Sequence, residues 1–252
     1  LPLFRFVPDV PRTGMRFGKA VIEGAADLVN LFKEARGHRD AMIFLGARMF
    51  YTDGLTGILV FGGVYAAGAM GWGTLELLMY GLLLSIVAVG GGLLGGWLDG
   101  RLGPKVALRL EITGVIISQL MTLGMTRDTF FYQPWPAADH APIWDGPMFR
   151  TMPEIGLLLA GFLAAITVTS AYASSRTMLT RVVPRDRVGV FFGLFVISGT
   201  ATSWLAPMLV EIATEAGKSQ RIGLLPISGL LLLGLIGLSF VRGGGRVTHH
   251  DD

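Results

Sequence analysis

The chain has 252 residues, 52% of them hydrophobic and 15% charged, with a net charge of +3 and no cysteine. A soluble domain carries charge on about a quarter of its residues, so this composition excludes one, and the lack of cysteine excludes disulfides, thiolate zinc sites and thiol chemistry. No aromatic-and-basic patch accompanies the positive excess, which excludes a nucleic-acid partner.

Leu1-Pro-Leu-Phe-Arg-Phe-Val7 reads as the last turns of a preceding membrane helix, broken by Pro8, Pro11 and Gly14. Residues 8–40 then form the expected linker. Within it Phe17, Val21, Leu28, Phe32 and Ala35 recur at helical spacing among Arg16, Lys19, Glu23, Asp27, Lys33 and Glu34. That pattern fits an amphipathic helix, either on a membrane surface or in solvent.

Six apolar stretches follow, at about 41–70, 75–98, 106–126, 153–175, 188–213 and 222–241. Each reaches the ~20 residues that cross ~30 Å of hydrocarbon at 1.5 Å per residue. The expectation is an all-α, polytopic membrane protein whose six transmembrane helices form a bundle over 41–241, with the lipid bilayer as its surroundings. Many glycines lie inside the spans; Gly91 and Gly95, like Gly92 and Gly96, are four apart and offer bare faces for close helix packing.

The long joint 127–152 carries Phe130, Phe131, Tyr132, Trp135, Trp144 and Phe149 among four prolines, the composition of a cap lying over the outer surface. A short turn, Lys218 to Arg221, joins the last two spans, and residues 242–252 make a polar tail. His249-His250-Asp251-Asp252 reads as part of that tail, not as a metal site.

Charge alternates along these joints. Arg5, Arg12, Arg16, Lys19, Lys33, Arg36 and Arg39, then Arg101 and Lys105, then Arg176, Arg181, Arg185 and Arg187, then Arg242 and Arg246 make fifteen cations on one side. Arg127, Arg150, Lys218 and Arg221 make four on the other. Positive loops stay in the cytoplasm, so both termini and the joints 99–105 and 176–187 are expected there, with the chain in a plasma (inner) membrane.

Within the spans, ionisable groups cost at least ~2.5–3.5 kcal/mol at a helix centre and so need a reason. Arg48 and Asp53 share the first span with Tyr51. Asp53 lies about 18 Å into it, near mid-membrane. Five residues separate the two charges, so they project about 140° apart and cannot neutralise each other on one straight helix. Each needs a partner on another helix, water or a ligand. Gly54 and Gly57 loosen the helix at the same level. Gln119 is the deepest polar residue of the third span, able to line a path or to bond a neighbouring helix. Ser198, Gly199, Thr200, Thr202 and Ser203 form a polar stripe in the fifth, one turn before Pro207, suited to bonds between helices or to a ligand. Arg109, Glu111 and Glu211 lie closer to span ends.

No catalytic constellation is present. His-Glu-x-x-His, Gly-x-Ser-x-Gly and a phosphate loop are all missing, and His38, His140, His249 and His250 lie outside the spans. The chain is read as no enzyme, with no cofactor and no metal.

Gly95-Gly96-Trp97-Leu98-Asp99-Gly100-Arg101-Leu102-Gly103-Pro104-Lys105 resembles the signature cytoplasmic loop of the major facilitator superfamily. With Arg101, Gly103 and Lys105 in register, Gly100 takes the acid's position and Asp99 is displaced by one. Phe50-Tyr51-Thr52-Asp53-Gly54, the run Ser175 to Pro184 with Arg176 and Arg181, and Phe191 to Phe195 followed by Ser198 to Ser203 resemble the C-terminal half of its "unknown major facilitator" branch, related to the vacuolar amino-acid effluxer linked to autophagy. Thr200 stands where members often carry lysine. Leu3 to Asp9 resembles the end of the sixth helix and the start of the central linker.

The resemblance implies one half of a twelve-helix secondary transporter, partnered by a further N-terminal six-helix half, that moves a small-molecule substrate such as an amino acid by alternating access, with protons as a coupling ion. It makes Asp53, Tyr51, Arg48, Gln119, Ser198 and Thr202 candidates for substrate or proton contact. Asp99, Arg101, Gly103, Lys105, Arg176 and Arg181 become candidates for the gating loops. Two alternatives keep the same spans: a self-sufficient six-helix channel or transporter acting as a homodimer, and a membrane assembly factor using the aromatic outer loop.

Overall fold

A computed structural model describes residues 37–136, 139–184 and 187–243. The helices among the described residues lie in one compact unit, Arg39–Asp252. The expected helix end at 1–7, the amphipathic stretch before residue 37 and the tail beyond residue 243 lie outside the described residues.

The unit's described residues are all-α apart from one tiny hairpin. Its helices are α1 (Arg39–Met70), α2 (Thr74–Leu102), α3 (Pro104–Gly124), α4 (Met152–Val182), α5 (Val188–Thr200), α6 (Leu205–Gly217) and α7 (Gln220–Ser239). Among the described residues, six helical segments are long and apolar enough to cross a membrane, α5 and α6 jointly supplying the fifth.

Local chemistry sets the boundaries. Glu76 reaches back to the Gly73 N–H at the head of α2, and Glu154 to the Thr151 N–H at the head of α4, each satisfying a donor that the first helical turn leaves free. Gly103 alone separates α2 from α3; its φ of +83° suits a residue without Cβ, and Pro104 opens the next helix where no N–H is needed. Lys218, with φ +47°, ends α6.

Two of the expected boundaries need correction. The stretch 99–105 is not a loop but the end of α2, one glycine and the start of α3. Arg176 and Arg181 belong to α4, which runs on to Val182 rather than ending near 175. Hydropathy marks where a helix leaves hydrocarbon, not where its backbone bonds stop, and nothing in 99–102 or 176–182 breaks a helix.

The fifth span is also two helices, not one. Between α5 and α6 the Ser203 N–H bonds the Thr200 carbonyl and the Leu205 N–H bonds the Thr202 carbonyl, tight i→i−3 contacts in place of the α-helical pattern. Pro207, which has no N–H to give to Ser203, sits in the first turn of α6, where none is required.

α4 packs against α2 and α3, α7 against α1 and α6, and α5 against α1 and α4. The α1–α7 contact is close because glycines face it. A Cβ on Gly54 would lie 2.8 Å from Leu231 Cγ, and one on Gly234 would lie 2.8 Å from the Tyr51 backbone nitrogen. α2 buries only Gly91 and Gly95 and leaves Leu78, Leu82, Ile86, Val89, Leu93 and Trp97 exposed. So large an apolar face suits hydrocarbon or another helix, not water.

The aromatic loop is ordered by its own side chains. Thr129–Phe130 pairs with Gln133–Pro134, Trp135 stacks on His140 at 3.7 Å, and Trp144 Nε1 donates to the Phe149 carbonyl at 2.9 Å. Arg221, at the head of α7, ties this loop to the bundle through the Leu123 carbonyl at 2.7 Å and Thr129 Oγ1 at 3.1 Å.

Candidate functional site

Arg48, a third of the way along α1, is buried at 7% exposure. Its partner is α5, as the angular separation from Asp53 requires. Nη1 donates to the Phe195 carbonyl at 2.5 Å and to Ser198 Oγ at 3.0 Å, and the guanidinium lies 3.5 Å from the centre of the Phe195 ring. These contacts are a carbonyl, a hydroxyl and a ring face. They solvate a cation without neutralising it.

Asp53 turns to the break in the fifth span. Oδ2 accepts the Ala206 N–H at 2.9 Å, in the first turn of α6, while Oδ1 is buried without a partner. A carboxylate at a helix N-terminus meets free donors and the positive end of the dipole. Thr202 bonds the same break to α1 through the Met49 carbonyl at 3.0 Å. Asp53 is 2% exposed and lines neither of the two large cavities. The geometry therefore makes it a brace for the α5–α6 junction.

The other polar groups divide between bracing and lining. The Tyr51 hydroxyl and Ser175 Oγ lie 2.6 Å apart, linking α1 to α4. Ser174 donates to Glu111 Oε1 at 2.9 Å, and Glu111 Oε2 is buried without a partner. Gln119 reaches the Leu224 carbonyl at 3.5 Å and borders a cavity.

That cavity, about 370 Å³, lies between α1, α2, α3 and α4 towards the aromatic loop, and its walls are mostly glycine, alanine and leucine, with Tyr80, Ser85, Gln119, Thr122 and Thr169 as uncharged polar groups. The second cavity, about 410 Å³, lies between α1, α4 and α5 in the half of the bundle nearer Gly103. Arg48, Arg176, Thr52, Thr56 and Tyr172 line it together with Phe192, Phe195 and Val196. Of the residues singled out from sequence, it brings Arg48 and Arg176 together with Gly199 and Thr200 of the polar stripe, and leaves Tyr51, Asp53, Gln119, Ser198 and Thr202 outside its lining. Thr56 and Tyr172 gave no signal in the sequence, and Thr52 appeared there only inside the Phe50–Gly54 stretch. Thr52 and Thr56 lie one and two turns beyond Arg48 on α1, a stripe that a helical-wheel reading outward from the charge would have found.

At the end that holds Gly103, Lys105 Nζ donates to the Val241 carbonyl just past α7, and the Gly243 N–H bonds Asp40 Oδ2 at 2.7 Å. Lys105 thus meets a carbonyl left free beyond a helix terminus. Arg101 stacks its guanidinium 4.5 Å above the Trp97 ring. The Gly103 N–H bonds the Asp99 carbonyl at 3.1 Å. Arg181 is exposed.

A family model described as "Vacuole effluxer Atg22 like" matches residues 1–244. The chain is 23% identical over 221 residues to an uncharacterized MFS-type transporter, YxiO, of Bacillus subtilis, covering 88% of this chain and 45% of that protein. It is 24% identical over 210 residues to Autophagy-related protein 22 of Yarrowia lipolytica, covering 80% and 31%. The Kluyveromyces lactis protein of the same name is 22% identical over 237 residues, covering 88% and 44%. The chain spans less than half the length of these relatives. A crystal structure of the peptide transporter POT, solved as a mutant in complex with sulfate, shares the fold with a TM-score of 0.58 at 16% identity, over 84% of this chain and 40% of that one.

Proposed function

The chain belongs to the Atg22-like vacuole effluxer family, within the major facilitator transporters, and from that membership we propose that its six spans are one half of a secondary transporter that moves a small solute, an amino acid or a compound of similar size, by alternating access. The observation that carries the reading is the 410 Å³ cavity walled by α1, α4 and α5, with two arginines in its lining. A volume of that order suits a small solute. The cavity borders the one span that is broken into two helices, and discontinuous helices next to a mid-membrane site are a recurring feature of such carriers. The gap between α5 and α6 gives one wall a place to bend.

In this reading the site opens to the two sides of the membrane in turn, as two six-helix halves rock about it. Liposomes holding the complete transporter should take up radiolabelled amino acids saturably, whereas liposomes holding residues 1–252 alone should not. Saturable uptake by the shorter chain would favour the self-sufficient homodimer.

The accompanying orientation places the Gly103 end in the cytoplasm, on the strength of the fifteen-to-four charge asymmetry. The chain has no native cysteine to interfere, so single cysteines at Asp139 and Arg185 report it directly. An impermeant outside reagent should label the first and spare the second; the reverse would turn the bundle over.

A further inference from the structure

The cavity between α1, α4 and α5 has an unbalanced charge. Arg48 and Arg176 both line it, and among the described residues neither is paired with a carboxylate. Asp53 and Glu111, the buried acids nearest in sequence and depth, are taken up by the Ala206 N–H and the Ser174 hydroxyl and do not line the cavity. The cavity also collects unused donors. Arg48 Nε and Thr52 Oγ1 are buried without a partner, on side chains only 7% and 5% exposed. The Tyr172 hydroxyl meets only Thr56 Oγ1, at 3.3 Å.

A buried donor left without an acceptor is costly, and more so when it is charged. Here two such donors belong to side chains that line one space together with a second cation. Phe195 occupies one side of the Arg48 guanidinium, and Nη1 is taken up by the Phe195 carbonyl and Ser198 Oγ, contacts that leave its charge uncompensated beside the cavity. We propose that this cavity is an anion subsite that holds a carboxylate of the transported solute, with Arg48 and Arg176 supplying the charge and Thr52 and Tyr172 supplying hydroxyl donors.

The reading rests on the transporter function proposed above and adds the chemistry of the cargo to it. A guanidinium presents paired N–H groups that match the two oxygens of a carboxylate. Phosphate would satisfy the same charges. The α5 wall, however, carries Phe192, Phe195 and Val196, which suits a solute with a carbon skeleton attached to its anionic head. No acid in the lining awaits an ammonium group, so this half of the site selects for the carboxylate end alone.

The test uses the complete transporter in detergent and reads binding by thermal shift, separately from transport. The probes are leucine, glutamate, lactate and succinate, with leucinamide and inorganic phosphate as controls. At least one carboxylate should raise the melting temperature in a saturable way, and leucinamide, which keeps the leucine side chain and amine but lacks the carboxylate, should not. Arg176→Gln should weaken the binding carboxylate at least tenfold, and Arg176→Lys should recover part of the loss; Arg176 is exposed, so neither change endangers folding. Thr52→Val gives a second reading from the α1 wall and should weaken binding severalfold. Equal stabilisation by leucinamide, stabilisation by phosphate alone, no response to any carboxylate, or an unaltered affinity in Arg176→Gln would each overturn the assignment. Carboxylate binding that persists without any uptake in liposomes would uphold the subsite and remove the transporter reading instead.

Discussion

Asp53→Ala should lower the stability of the bundle by about 2 kcal/mol, while Asp53→Asn should cost less than about 1 kcal/mol. The alanine leaves the Ala206 N–H buried with no acceptor, and bonds to charged acceptors are worth about 1.5–3 kcal/mol. Asparagine keeps an oxygen in the same place and loses only the charge facing the positive end of α6. If the brace is the whole role, Asp53→Asn in the complete transporter still accumulates solute under an imposed pH gradient, and melting in detergent ranks the variants wild type, Asn, Ala. Accumulation that collapses in Asp53→Asn with an unchanged melting temperature would make this carboxylate the proton carrier that its depth in the span suggests.

Asp53 also shows what a sequence can and cannot say about a membrane bundle. Depth is a matter of counting along one helix, and angle a matter of multiplying by 100°, so the separation of Arg48 from Asp53 is legible in the residue order alone. Their partners are not. Each lies on another segment, about 150 residues away, and depends on which helices become neighbours of α1. The same limit hides the cavity, whose walls come from α1, α4 and α5 and whose hydroxyl residues look like ordinary span residues in isolation.

The break in the fifth span is only half visible in the sequence. Ser198 to Ser203 and Pro207 mark it as polar and irregular, yet one apolar run on each side makes it count as a single crossing. Its division becomes clear only once Asp53 and Thr202 are seen tying the junction to α1. Span ends are misplaced for a different reason. Asp99, Arg101, Arg176 and Arg181 are charged, and charge ends a hydrophobic stretch without ending a helix.

The glycines of α2 make the same limit measurable. Gly91-Gly92 and Gly95-Gly96 present two bare faces of one helix, and the sequence treats the faces alike. In the bundle only one of them is used. A Cβ on Gly91 would stand 2.5 Å from the Ile166 carbonyl oxygen and 2.8 Å from its Cα, and one on Gly95 would stand 3.0 Å from Ser170 Cα. These are backbone atoms of α4 and cannot rotate aside. A Cβ on Gly92 would meet only Thr169 Cγ2, at 4.0 Å, and one on Gly96 nothing within 4 Å.

Gly91→Ala combined with Gly95→Ala should therefore push α2 off α4. It also strains the bond from Ser170 Oγ to the Gly91 carbonyl at 2.6 Å, for a combined loss of about 3–7 kcal/mol if each overpacked site costs ~1–3 kcal/mol and the bond ~1 kcal/mol. Gly92→Ala with Gly96→Ala should be neutral or slightly stabilising for the isolated bundle, since alanine is the better helix former. Melting of the two double variants in detergent separates them. Equal losses would mean that α2 is held by its whole glycine surface and that the contact with Ile166 and Ser170 does not set its position. A loss confined to Gly91 and Gly95 would place the helix on α4 through that single face and leave the Gly92–Gly96 face unused within the bundle.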